Sequence, residues 1–464
     1  MSIEKDITDF VIATGYDELP QEVVEAVKGL IMNTFAAMLS GSGASGVKEL
    51  AQLVRSWRGL PESTVFLQDF KAPAHEAVLV NATMARALDF DDFHMQTGMH
   101  AGATVVPVAF AAAEAKGGID GKNFITAIAL GAEILCRMRL VPDLCIGISG
   151  WTGEIYGPFG GAITAGKILG LSREEMGHAL GLAYCQSAGN AQAIYDGSLG
   201  TRLQQGFSAR AGYVSAIMAN VGLTGAREFL QGKAGLYPVY YRGLNYEISR
   251  LIEALGEKYE ILNIATKPYP CCGFTMAPIE NVLGIMRENH LVPRDIRKVE
   301  FRVNEKMYNT VCFPSEAKYR PKNSADALFS LPYVVATAII TGDVLLSDFS
   351  AKAIRDSERL EMAFKIKIKV DKQIEQESRE LNLSLSLHQA ELETQSGQKF
   401  SRKIYYAKGF PQSPMTMEDF AEKAKKCAAY GVKRFPESRL DELKEVLIHL
   451  EEKKDISSLI EFLS

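Results

Sequence analysis

The sequence predicts a mainly α protein: a large all-helical domain formed by residues 1–266 and 404–464, with an α+β lid domain, residues 267–403, inserted into it. Three observations carry this. Up to about residue 265, apolar residues recur at helical spacing through Ala- and Gly-rich stretches such as "VVPVAFAAAEAKGG" and "GPFGGAITAGKILGL". After "TKPYPCCGFT" (266–275), where two prolines and a glycine intervene, alternation with period two sets in. From Thr416 onward amphipathic helices return. The order helical, mixed, helical implies that the last helices rejoin the first domain and that a pocket lies under the lid.

Taken in order, "LSREEMGHALGLAYC" carries a capping box, Ser172 with Glu175, which predicts a helix starting near Arg173. "VEFRV" (299–303), "KIKIKV" (365–370), "NLSLSL" (382–387) and "AELET" (390–394) alternate apolar and polar residues, as half-buried strands do. Among them "ADALFSLPYVVATAIITG" (325–342) reads as an apolar helix, which together predicts an antiparallel sheet covered by helices. "PMTMEDFAEKAKKCAAYG" opens on a cap at Thr416, and "LDELKEVLIHLEEKK" is amphipathic. No internal repeat or low-complexity tract interrupts the chain.

Composition narrows the chemistry. With 464 residues, 47% of them apolar, the chain can bury two or three domain cores. No apolar run of about 18 uncharged residues suggests a membrane span, and "MSIEKDITDF" lacks the features of a signal peptide, so a cytoplasmic location is expected. The seven cysteines are odd in number and scattered, as for reduced thiols. Adjacent Cys271 and Cys272 do not have a zinc spacing. A formal net charge of −5 with both signs mixed argues against a nucleic-acid surface, leaving a small molecule as the expected partner.

One stretch concentrates reactive groups. "LDFDDFHMQTGMHAG" (88–102) holds Asp89, Asp91, Asp92, His94 and His100, in a chain with seven histidines. The acids could cap a helix or pair with a base such as Arg86. They could hold magnesium, as DDxxD acids do, but no second acidic motif or basic diphosphate cluster accompanies them, and no metal is expected. Or a histidine, with its pKa near neutrality, could work as acid or base beside a carboxylate that fixes its tautomer.

"NATMARALDFDDFH", "VVPVAFAAAEAKGGIDGKNFITAIALGAEILCR", "GPFGGAITAGKILGLSREEMGHALGLA", "GLTGA", "KPYPCC" and "ALFSLPYVVATAIITGD", in this order and spacing, resemble the MmgE/PrpD family. That is the family of 2-methylcitrate dehydratase, cis-aconitate decarboxylase and iminodisuccinate epimerase. The resemblance covers residues 1 to about 430. It implies a helical domain with a lid, no cofactor, a homodimer, and proton movement at carbon next to a carboxylate: dehydration, decarboxylation or epimerisation. By the same resemblance Asp89 and His100 match the active-site aspartate and histidine, Lys267 an active-site lysine, and Tyr333 a tyrosine of the pocket. His100 is then the proton-transfer residue, oriented by Asp89, with Lys267 on the substrate carboxylate and Asp91 and Asp92 structural. Tyr156 is the alternative proton carrier beside Tyr333, and His94 belongs to the motif.

The chain also departs from the family. Trp151 stands where tricarboxylate-processing members carry a catalytic histidine, Thr201 replaces a lysine, with Arg202 alongside, and Met276 stands where relatives often place histidine. A site that has lost these cations would leave a tricarboxylate poorly neutralised, so a less charged, more apolar carboxylate is expected. The alternatives are a 2-methylcitrate dehydratase-like hydro-lyase and a catalytically inactive relative kept as a binding or scaffold protein.

Overall fold

The structure, a computed structural model, describes residues 2–142, 149–383 and 385–463. Cys145 lies outside them; the other six cysteines are free thiols. The chain forms two compact units, Met1–Thr266 with Thr416–Ser464, and Lys267–Met415.

The core of the first unit is the Gln21–Gly41 helix, buried on every side from Val27 to Gly41. A helix apolar all round belongs in a core. Its length and composition would also suit a membrane span, beyond what the sequence reading expected, but 89% of its most apolar stretch is buried inside the protein. From the C-terminal part, the Met417–Ala428 helix packs on it, Lys423 Nζ donating to Asn33 Oδ1 at 2.7 Å. Small residues allow close helix approach elsewhere. A Cβ on Gly212 of the Gly200–Asn220 helix would lie 2.7 Å from Gly161 Cα of the Gly157–Leu169 helix, so only glycine fits.

This unit is not all-helical. Strand β1 (Ser63–Val65) pairs with β2 (Phe70–Ala72), and β3 (Asp92–His94) with β4 (Ile264–Thr266). Ladders of three residues are too short to show a period in the sequence.

In the second unit β5 (Ile296–Val303), β6 (Ile366–Val370), β7 (His388–Thr394) and β8 (Lys399–Ile404) form one sheet in the order β6-β5-β7-β8. Val299, Phe301 and Val303 face inward between more exposed neighbours. The sheet is mixed rather than antiparallel, because β6 runs parallel to β5. Parallel neighbours need a crossover connection, and the helices between residues 305 and 365 provide it. "NLSLSL" is not a strand. Its described residues turn after the Lys372–Glu380 helix, and its alternation arises because Leu383 and Leu387 bury against Ile374. The apolar run at 325–342 divides at Ser330, whose hydroxyl accepts the Tyr333 N–H and starts a new helix, Leu331–Thr341. Residues 404–415 group with this unit instead of the C-terminal helices, and the Lys408 N–H donates to Glu280.

Candidate active site

The acidic stretch links the Ala74–Arg86 helix to the Gly102–Lys116 helix. Asp89 turns the chain with φ of 53°, a left-handed conformation that aspartate tolerates better than most residues. Lys423 clamps the turn, donating to the Phe90 carbonyl at 2.7 Å while its ammonium lies 4.0 Å from the centre of that ring. Beyond Asp91, residues Asp92 to His94 are fixed as β3, with Asp92 opposite Thr266. Asp92 Oδ2 then accepts the Gly102 N–H at 3.1 Å, at the start of the following helix. A Cβ on Gly102 would meet Asp92 Oδ1 at 2.3 Å, so glycine is required there.

His100 faces this framework. Its Nδ1 lies 2.7 Å from the Asp92 carbonyl oxygen and 3.0 Å from Asp91 Oδ2. A carbonyl can only accept, so Nδ1 carries a proton, and Nε2 is the nitrogen that exchanges one. Among the described residues Nε2 has no hydrogen-bond partner, and the side chain retains 14% of its exposure. The sequence reading gives the orienting role to Asp89; in the structure the Asp92 carbonyl accepts from Nδ1, and the carboxylate standing nearest to it is that of fully buried Asp91. Asp89 is instead 2.7 Å from Arg86 Nη1, which also stands 3.6 Å from Asp91 Oδ1.

Burial opposes the Arg86 charge, but Asp89, Asp91 and Glu154 outweigh it and hold the guanidinium above its ordinary pKa. Asp92 is pushed up to about 6, by burial first and then by the Asp91 charge, against the lowering effects of the Gly102 N–H and His100. Asp89, Asp91 and His100 offer ligand atoms within 4.8 Å of one another, a spread that could take a cation. Arg86 already supplies positive charge to both carboxylates, which favours the acid–base reading.

Arg202, in the first turn of the Gly200–Asn220 helix, is pushed down from its ordinary pKa by burial and by the Arg86 charge, which places it in the field of this cluster. Its Nη1 donates to the Ser45 carbonyl at 2.9 Å. Thr201 precedes it in the same turn, its N–H donating to the Ser198 carbonyl. Trp151 is half-buried, its indole N–H bonded to the Tyr240 carbonyl at 3.0 Å. Two expected site residues are enclosed elsewhere in this unit. Fully buried Tyr156 shares a 2.6 Å hydrogen bond with the Tyr241 hydroxyl, and burial raises its pKa well above 10. Fully buried His94 is bonded at 3.1 Å to Glu260, and that bond holds Glu260 below the usual carboxylate range.

In the second unit, buried Lys267 directly follows Thr266 of β4 in the chain. Met276 is fully buried in the Gly273–Glu288 helix, and the Tyr333 hydroxyl donates to the Asp348 carbonyl at 2.5 Å. Sequence reasoning missed Glu154. Its only signal is an acid in "GEIYGPFGG", and its effect on Arg86 depends on the fold.

Family models for the MmgE/PrpD N-terminal domain and the MmgE/PrpD C-terminal domain match residues 5–249 and 269–448. The chain belongs to the MmgE/PrpD family. Membership together with relatives that are cis-aconitate decarboxylases makes this MmgE/PrpD protein an enzyme of the lyase type. It is similar to cis-aconitate decarboxylase from Aspergillus terreus, 27% identical over the whole of this chain and 96% of the relative. It is also similar to cis-aconitate decarboxylases from Mus musculus, 22% identical over 100% of this chain and 93% of the relative, and from Homo sapiens, 23% identical over 99% and 94%.

Proposed function

We propose that this MmgE/PrpD enzyme is a cofactor-independent lyase acting at the carbon next to a carboxylate of a small organic acid, with His100 as the proton carrier. The observation that carries the reading is the fixed imidazole: Nδ1 is tied to the Asp92 carbonyl beside the Asp91 countercharge, and Nε2 is left for the substrate. A general acid or base so placed contributes about 10²–10⁴ in rate. The relatives' names favour decarboxylation. In that reaction the bond from carbon to the departing carboxylate breaks and carbon dioxide leaves. The electron pair stays on carbon and takes the proton from Nε2, and solvent then reprotonates the imidazole.

Arg202 is assigned to the remaining carboxylate and Asp89 to holding Arg86 in place; Lys267 and Tyr333 keep the substrate and pocket roles that the family resemblance implies. The enzyme is assigned to a homodimer in the cytoplasm. We further propose a substrate less charged than a tricarboxylate, because Trp151 stands where tricarboxylate-processing members carry histidine and its N–H is bonded to Tyr240. The second reading, cis-aconitate itself, is favoured by relatives with that name matching the chain along its whole length. Assaying cis-aconitate beside mono- and dicarboxylates in heavy water separates them. Faster turnover of a less charged acid with deuterium at the product carbon is expected, and preference for cis-aconitate would reverse the substrate assignment.

A further inference from the structure

The strand-like segment around Trp151 packs on the His100 loop. A Cβ on Gly153 would lie 2.8 Å from the sulfur of Met99, the residue before His100, and Glu154 acts on Arg86. Trp151 is anchored through both backbone and ring. Its backbone bridges to Asn190, flanked by bonds from the Thr152 N–H to the Gly189 carbonyl (3.4 Å) and from the Ala191 N–H to the Gly150 carbonyl (2.9 Å). Its ring packs on Tyr240 with centroids 4.7 Å apart, and Tyr184 continues the row 6.5 Å from Tyr240.

Every polar tip in this row is bonded to the backbone. The Trp151 N–H donates to the Tyr240 carbonyl, the Tyr240 hydroxyl to Ser187 at 2.5 Å, and the Tyr184 hydroxyl to Ala234 at 2.7 Å. All three side chains remain partly exposed. With these donors used, the row offers a carboxylate no free side-chain donor, while its rings gain from covering by apolar groups.

We infer that Trp151, Tyr184 and Tyr240 form an apolar wall next to the His100 loop that selects carboxylic acids bearing an alkyl or aryl substituent, with Trp151 as the specificity-determining residue. The inference rests on the function proposed above and names its substrate class.

The test uses the fact that the chain has two tryptophans. Trp57 is half exposed on the Val47–Trp57 helix, so Trp57→Phe leaves Trp151 as the sole indole reporter. Titrating this protein with phenylacetate, isovalerate, acetate and citrate should change Trp151 emission saturably, with the first two binding at least about tenfold more tightly, the scale expected for covering one such substituent. Trp151→Phe should keep that preference by calorimetry and Trp151→His should lose it. Equal or tighter binding of citrate, or no response by emission and calorimetry, would overturn the wall. So would a Trp151→Ala protein that changes from dimer to monomer with its ligand preference intact, since the face would then belong to a subunit contact. An emission response without turnover of any carboxylate would leave the wall standing and overturn the lyase reading instead.

Discussion

His100 in the first unit and His388 in the second are anchored alike. Each places Nδ1 2.7 Å from a backbone carbonyl, that of Asp92 for His100 and that of Ser386 for His388. They differ at the other nitrogen. His388 Nε2 accepts from Asn281 Nδ2 at 3.0 Å, the ring is fully buried, and burial pushes its pKa down to about 4, so it is a neutral core residue. His100 has a carboxylate at 3.0 Å and keeps part of its surface open. Anchoring a histidine fixes its tautomer; an open Nε2 beside a countercharge makes it useful for proton transfer.

The strongest way to break the contrast is to remove the cation beside His100. Arg86→Ala strips Asp89 and Asp91 of a shared partner and should cost about 3–5 kcal/mol in denaturant unfolding, the range for a broken buried ion pair. His388→Ala opens a cavity and orphans Asn281, and should cost about 2–4 kcal/mol while leaving kcat of the folded protein unchanged. A fall in kcat there would undo the division between the two histidines.

Within the site, Asp91→Asn should lower kcat by about 10–100-fold, since the Asp92 carbonyl still holds the tautomer, and Asp89→Asn should lower it less. The reverse order would return the orienting role to Asp89. Smaller effects appear in the pH dependence of melting. Folded His388 binds its proton only near pH 4 against an ordinary 6.5, so its stabilisation is complete above pH 6.5 and is lost as pH falls toward 4. Asp92, raised from 3.8 to about 6, acts in the opposite sense. The native carboxyl keeps its proton longer than the unfolded one, so stability falls as pH rises across that interval. His388→Gln should flatten the acid-side loss and Asp92→Asn the opposing slope, read as Tm between pH 4 and 7.

What the sequence revealed follows the range of the interactions involved. The capping box Ser172/Glu175 and the cap at Thr416 are local, and helices begin at Arg173 and Met417 as the pattern predicts. The pairing of β3 with β4 joins residues far apart through three positions each, and leaves no periodic trace. Motif matching singled out the loop on which His100 and its neighbouring carboxylates gather. It could not tell Asp89 from Asp91, because the choice depends on the left-handed turn at Asp89 and on Arg86 lying across both carboxylates. Glu154 and Arg202 reach the same cluster only through tertiary packing.

The most direct measurement is single-substrate turnover by His100→Ala in heavy water, on the acid the wild type turns over fastest. The expected result is a kcat lower by about a hundredfold or more and deuterium incorporation lost in parallel, in a protein that stays folded with a lowered Tm, because His100 pairs with buried Asp91. Full turnover with deuterium still delivered to carbon would contradict it, and the proton would have to come from another group.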